Sequence, residues 1–68
     1  MRDTNRIKPF CDEFATLWVK RYPDLRFGQL ISNFFGWVYS EKGRDIFFPE
    51  EDEMMEYFKE YCGEKEVK

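Results

Sequence analysis

The first third of the chain places its apolar residues with the period of an α-helix. Between residues 7 and 18 they recur at spacings of three and four, which is typical of one face of an amphipathic helix. That face consists of Ile7, Phe10, Cys11, Phe14, Leu17 and Trp18. Asn5 is a suitable N-cap, and Pro9 falls in the first turn, where a missing N–H costs least. Pro23 restricts the residue before it and so predicts the end of this helix.

A second apolar stripe predicts a helix over about residues 25–35. The stripe consists of Phe27, Leu30, Ile31 and Phe34. Asp24 is a natural N-cap, and Gly36 can adopt the left-handed conformation that often ends a helix. Gly28 costs about 1 kcal/mol relative to Ala inside a helix. Its presence suggests the close approach of another group, and a merely tolerated glycine is the alternative.

Residues 37–48 consist of two apolar runs on either side of a turn that contains a glycine. The pattern predicts a short β-hairpin, with residues 37–39 paired to residues 45–48. Two strands alone are unstable in water. We therefore expect the hairpin to lie against the helices or to pair across a dimer.

A third amphipathic helix is predicted after Pro49, ending at Gly63. Its apolar stripe consists of Met54, Met55, Phe58, Tyr61 and Cys62. The acidic residues 50–53 suit the positive end of the helix dipole. They lack the alternating spacing of a calcium loop, so a solvated helix start is expected in preference to a divalent-ion site or a nucleic-acid mimic.

These elements predict an α+β, helix-dominated mini-domain with the order α-α-β-hairpin-α. The 68 residues form one domain. No linker, repeat or low-complexity segment divides it. Residues 1–4 and 64–68 are expected to fray.

Aromatic residues are unusually abundant for so small a chain. Fourteen Phe, Tyr and Trp stand against nine Ile, Leu and Val. A domain of this size is near the limit at which one core suffices, and one copy has difficulty covering so many rings. We therefore expect a homodimer, in which some rings lie in a subunit interface or a ligand pocket. The alternative is a monomer with several half-exposed rings.

The net charge of −3 is unevenly distributed. Residues 1–48 hold eight basic and six acidic side chains, whereas residues 49–68 hold three basic and eight acidic ones. Duplex nucleic-acid binders normally show a basic stripe and a high pI. The pI near 4.9 argues against that class. A small anion in a local basic pocket remains compatible with the charge distribution.

Cysteine and histidine usage limits the possible chemistry. Cys11 and Cys62 are too few for a disulfide framework, and the chain has no His. The usual transition-metal sites are therefore not expected, and neither is another cofactor. Without a His partner both thiols are expected to pack in the core, and we expect no enzyme activity, although a carboxylate pair could still act as acid and base. The absence of an apolar leader or membrane-length stretch predicts a cytoplasmic protein with reduced thiols and no membrane partner.

Three polar side chains share the flank of the second apolar stripe. Arg26, Gln29 and Asn33 fall within about 60° of one another on a helix. Arginine offers a rigid fork of donors for phosphate or carboxylate, and the two amides can bind base edges or sugar hydroxyls. In the structural alternative, Arg26 pairs with acids of the third helix while the amides hold the hairpin backbone.

Aromatic and basic residues elsewhere in the chain could complete a nucleotide-sized site. Trp37 or Tyr39 could stack on a base, and Arg21 or Arg44 could add a second positive charge. The sequence thus predicts a site for a small anionic ligand. Its candidate residues are Arg26, Gln29, Asn33, Trp37, Tyr39, Arg21 and Arg44.

Two motifs resemble those of short proteins encoded by phages and Gram-positive bacterial genomes. Residues 23–33, PDLRFGQLISN, and residues 45–61, DIFFPEEDEMMEYFKEY, are similar to that group's PD-x-R-x-x-Q-L-(I/L)-x-N and following D-x-F/Y-Y/F-x-E-D-D-E patterns. The matching residues are Pro23, Asp24, Arg26, Gln29, Leu30, Asn33, Asp45, Phe47, Phe48, Glu51, Asp52 and Glu53. The chain departs from the pattern in the longer WVYSEKGR segment and in Pro49. The resemblance, which covers residues 6–61, implies a phage or mobile-element context and no particular activity.

The leading hypothesis is a non-catalytic, phage-type binding protein that sequesters an anionic, nucleotide-like signal of host defence. Arg26 would hold the charge of the ligand, and Gln29 and Asn33 would bind its polar edges. The alternative is a phage or mobile-element inhibitor or adaptor. Such a protein would bind a basic host protein through its acidic third helix and exposed rings.

Overall fold

A computed structural model describes residues 3–63 of the chain, which fold as three α-helices. These are α1 (Ile7–Arg21), α2 (Phe27–Trp37) and α3 (Glu51–Tyr61). A 3₁₀ turn, Thr4–Arg6, precedes α1, and a π-helical turn, Val38–Lys42, continues α2. The predicted fraying of residues 1–2 and 64–68 lies outside the described residues.

The predicted β-hairpin and the α+β class are wrong, because residues 3–63 contain helices and turns and no strand. Residues 37–39, the predicted first strand, extend α2 into the π-helical turn, and Val38 is fully buried. Trp37 contacts Tyr61 of α3, with ring centroids 5.4 Å apart. A helix can direct neighbouring residues such as Trp37 and Val38 towards α3, whereas a strand would turn them to opposite faces.

The predicted second strand, residues 45–48, is a turn between α2 and α3. The Asp45 carboxylate accepts the N–H of Phe47 at 3.0 Å, and its carbonyl accepts the N–H of Phe48 at 3.2 Å. These bonds satisfy, within the turn, the backbone N–H groups that a β-strand would donate to a neighbouring strand. Gly43, with φ of 62°, ends the π-helical turn before it. The glycine assigned to a hairpin turn is therefore a helix C-cap.

Helix α2 begins and ends later than predicted. Capping sets its start, and packing against α3 sets its end. Its N-cap is Arg26, whose N–H donates to the side-chain carbonyl of Gln29 at 2.8 Å. Asp24, the predicted N-cap, lies in the preceding turn. Gly36, the predicted end, lies inside the helix because its neighbours continue to pack against α3.

The ends of α1 and α3 agree more closely with prediction. Asn5 lies in the 3₁₀ turn before α1, where the Asp3 carboxylate accepts its N–H at 2.9 Å, so Asn5 is not the N-cap of α1. Pro9 falls in the first turn of α1 and Pro23 follows its end, both as predicted. Gly63, with φ of 78°, follows α3 as predicted.

Aromatic rings from all three helices meet in the core. Phe58 of α3 contacts Phe14 of α1 at 4.8 Å and Phe34 of α2 at 4.9 Å between ring centroids. The other buried residues are Leu17, Leu30, Val38, Met54, Met55 and Cys62. The three predicted stripes therefore form one core, except that Ile7 and Cys11 of α1 and Phe27 of α2 are exposed outside it.

Gly36 provides a test of the continuous α2. A Cβ at this position meets no atom of the described residues within 4 Å, so Gly36→Ala should stabilise the helix. We expect the free energy of unfolding to rise by about 0.5–1 kcal/mol. The matched variant Gly43→Ala should lower it by about 1–2 kcal/mol, because alanine is strained at positive φ. Urea unfolding measures both changes, and destabilisation by Gly36→Ala would contradict the helix.

Candidate functional site

The three polar residues predicted on the flank of α2 are all exposed. The Gln29 side chain accepts the backbone N–H of Arg26, so one of the two amides holds the start of the helix. Within residues 3–63, the guanidinium of Arg26 makes no hydrogen bond or ion pair. The structure therefore places Arg26 at the N-cap of α2 and Gln29 and Asn33 within the helix, all three exposed, with no partner among residues 3–63 for the charge of Arg26.

Two other arginines hold the acidic start of α3. The Nε of Arg6 donates to Glu51 at 2.8 Å, and Arg44 donates to both carboxylate oxygens of Glu53. Glu53 also accepts the hydroxyl of Tyr57 at 2.9 Å. The hydrogen bonds from Arg44 and then Tyr57 lower the pKa of Glu53. Arg44, predicted as a second cation for a ligand, thus lies against α3 in a structural role.

The remaining candidates lie in different surroundings. Trp37 is half-buried against Tyr61, and the ammonium of Lys42 lies 5.6 Å from the centroid of its ring. Tyr39 is 73% exposed. Arg21 ends α1 and interacts with another residue. Trp37 is therefore part of the ring core, whereas Tyr39 has the exposure that a stacking residue needs.

An apolar groove, which sequence reasoning missed, opens between α1 and α2. Its volume is about 270 Å³, and Met54 and Phe58 of α3 also line it. The lining residues from α1 and α2 include Phe10, Cys11, Phe14, Phe27, Ile31 and Phe35. All of its lining side chains are apolar or carry a thiol. The sequence did carry a signal for this groove. The apolar stripes of the helices are wider than one shared core can cover.

Two rings project from the loop between α2 and α3. Phe47 is 82% exposed and Phe48 is 68% exposed. Their rings meet edge to face, with centroids 5.2 Å apart and planes at 84°. Phe27 is also 58% exposed at the groove. The excess of ring surface predicted from composition therefore lies at the loop and the groove and, for Tyr39, in the π-helical turn.

None of the helices in residues 3–63 is both long and apolar enough to cross a bilayer. The same residues do not bring three His, Cys, Asp or Glu side chains together as a metal site. The candidate surfaces are therefore the polar side of α2, the apolar groove and the Phe47 and Phe48 loop.

Comparison of the chain with protein families, curated proteins and solved structures gave no match. The resemblance to short phage and Gram-positive bacterial proteins thus stays a prediction. Function has to be inferred from the side chains that the fold exposes.

Protonation of Glu53 should weaken its contact with Arg44. Because the folded-state pKa of Glu53 lies below its ordinary value of 4.5, the ionised group stabilises the folded state above that pH. This contribution is lost as the pH falls through the folded-state pKa. Glu53→Gln should therefore be less stable than the wild type at neutral pH, and the difference should shrink in acid.

Urea unfolding at neutral and acidic pH measures this difference. Glu41→Gln is the matched control, since it removes the same charge from an exposed position in the π-helical turn. It should change stability little at either pH. A cost of Glu53→Gln that does not depend on pH would contradict the contact.

Proposed function

We propose that this protein is a non-catalytic binding domain that docks on a basic partner protein through Phe47, Phe48 and the acidic residues near them. The observation that carries the proposal is the exposure of these two rings, 82% and 68%. Aromatic residues are enriched at interfaces, and a few buried rings often supply most of the binding energy. An exposed pair at a loop tip is suited to insertion into a pocket.

The loop holds the two rings in a defined arrangement. Asp45 accepts the backbone N–H groups of both Phe47 and Phe48, and Ile46, which follows Asp45, packs on the core. The rings also contact each other edge to face. A preorganised loop loses less conformational freedom on binding than a flexible one. The rings can therefore act together as an anchor.

Exposed carboxylates lie close to the rings in the chain. Asp45 precedes them, Glu50 and Asp52 follow them at the start of α3, and Glu56 lies one turn further along that helix. Charges at the rim of an interface steer a complementary surface and mainly increase the rate of association. This supports a basic partner, which in the phage or mobile-element context would be a host protein.

We also propose that the chain acts as a homo-oligomer.

The double variant Phe47→Ala and Phe48→Ala tests this function. Tagged protein incubated with lysate of a Gram-positive bacterium should retain a partner, identified by mass spectrometry, that the double variant binds at least about tenfold more weakly. Both rings are exposed, so the free energy of unfolding should change by only about 0.5 kcal/mol.

Tyr39→Ala is the matched control, since it removes another ring that is 73% exposed. It should retain the partner, and added salt should weaken retention by the wild type. Equal retention by the wild type and the double variant would exclude docking through the loop.

A second candidate function is capture of a small anionic, nucleotide-like ligand by Arg26. The observation that favours it is the guanidinium of Arg26, which has no partner within the described range 3–63. Asn33 is also exposed on α2, and Phe27, which follows Arg26, presents a 58% exposed ring. A guanidinium can bind phosphate through two parallel hydrogen bonds, and a ring can stack on a base.

Thermal unfolding with a panel of nucleotides tests the second function. A ligand at a hundred times its Kd should stabilise the fold by about 2.7 kcal/mol. Arg26→Ala should abolish that shift. Lys8→Ala, which removes another exposed positive charge, should keep it. If no nucleotide shifts the unfolding temperature of the wild type, this function is excluded.

A further inference from the structure

Helix α1 carries a second apolar stripe, on the side that does not enter the core. It consists of Ile7, Cys11, Ala15 and Val19, which recur every four residues and are all exposed. Val19 is 72% exposed and Ile7 is 47% exposed. A helix of a small domain normally presents polar residues to solvent. The exposed stripe therefore indicates that something covers α1 from outside.

The stripe is continuous with the apolar groove, because Cys11 belongs to both. Across the groove, α2 adds Phe27, Ile31 and Phe35. The stripe, the groove and these three residues of α2 form one surface, here named the α1–α2 face. Contiguous apolar surface of this kind marks an interaction site on a small protein.

The spacing of the stripe allows it to pack on a copy of itself. Rows of residues four apart are inclined by about 26° to the helix axis, so two such rows interdigitate when helices cross at about 50°. Cys11 and Ala15 have small side chains and stand in the middle of the row. Close approach at the crossing point is therefore possible there. A twofold axis between them sets Cys11 of one copy opposite Ala15 of the other.

We infer that a second copy of the chain covers the α1–α2 face, with the two α1 helices crossing antiparallel at Cys11 and Ala15. The inference rests on the self-association proposed above and names its surface. It does not involve the loop that presents Phe47 and Phe48. The twofold arrangement closes the assembly at two copies, because each face is used once.

This arrangement brings opposite charges together at the two ends of the α1–α2 face. Arg26 lies near the C-terminal end of α1, where Trp18 donates to the carbonyl of Leu25 at 3.2 Å. Asp3 lies at the N-terminal end, where it caps the 3₁₀ turn. The antiparallel crossing directs Arg26 of each copy towards Asp3 of the other. It thereby supplies an acidic partner for a guanidinium that has none among residues 3–63 of its own chain.

The size of the molecule agrees with a stable dimer. The folded chain exposes 5247 Å² of surface. A standard specific interface, which buries roughly 800 Å² per partner, would take about 15% of this surface. An interface across the α1–α2 face would also remove both grooves from water. Apolar burial therefore favours the dimer.

Ala15→Cys tests the crossing point. Cys11 is exposed and Cys62 is buried, so the new thiol has Cys11 of the other copy as its accessible partner. Mild oxidation should link the variant into covalent dimers about tenfold faster than Ser40→Cys, because association raises the effective concentration of facing thiols. Adding Cys11→Ser to Ala15→Cys should remove this difference in the rate of linkage. Linkage no faster than in Ser40→Cys would overturn the crossing.

Val19→Glu tests the face as a whole by sedimentation. At micromolar concentration the wild type should have the mass of two 8.4 kDa chains. Val19→Glu should weaken association by about tenfold or more, since it buries an unpaired carboxylate at the interface. Because Val19 is 72% exposed, the single chain should stay folded in this variant, and circular dichroism checks this. An unchanged dimer in Val19→Glu would overturn the inference.

The Phe47→Ala and Phe48→Ala double variant separates this inference from the proposed partner binding. It should remain a dimer while losing its basic partner. A monomeric wild type that still captures the partner would overturn only the dimer. A dimeric wild type without a partner would overturn only the proposed function.

Discussion

Contact among the rings of Phe14, Phe34 and Phe58 joins the three helices, and the other elements are arranged around it. The centroids of Phe58 and its two neighbours are 4.8 and 4.9 Å apart. Such aromatic pairs contribute about 0.5–1.5 kcal/mol each beyond the burial of their area. Helices of 11 and 15 residues are marginal alone. Their stability therefore depends on this shared core, for which the chain has few aliphatic residues.

The same dependence on rings explains the exposed apolar surface. A domain of 68 residues has too little interior to cover fourteen aromatic side chains. Tyr39 is exposed in the π-helical turn, and the other rings that remain lie at two separate places, Phe27 at the groove and Phe47 and Phe48 on the loop. Two separate surfaces can serve two different contacts. One is suited to a second copy of the chain, and the other to a basic partner.

Some polar side chains hold the helices in place and others are exposed at the surface. Residue type alone does not show which of the two roles a side chain has. Arg6 and Arg44 hold the acidic start of α3, and Gln29 holds the start of α2. Arg26 carries the same kind of side chain as Arg6 and Arg44, yet it has no partner within residues 3–63. The candidate site was therefore only partly predictable. Helical spacing predicted Arg26, Gln29 and Asn33 together, and all three are exposed, whereas the pairing of Arg44 depended on a residue in another helix.

The sequence by itself determined the three helices and the excess of rings, because helical periodicity and composition are local properties of the chain. It did not determine residues 37–48, where short apolar runs suit either a strand or the end of a helix. The conformation of these residues depends on contacts with α3, which is distant in the sequence. These are the contacts of Trp37 with Tyr61 and of Lys42 with Glu60. The groove and the lack of a partner for Arg26 among residues 3–63 were likewise decided only by tertiary structure, since both depend on which surfaces the packed helices leave uncovered.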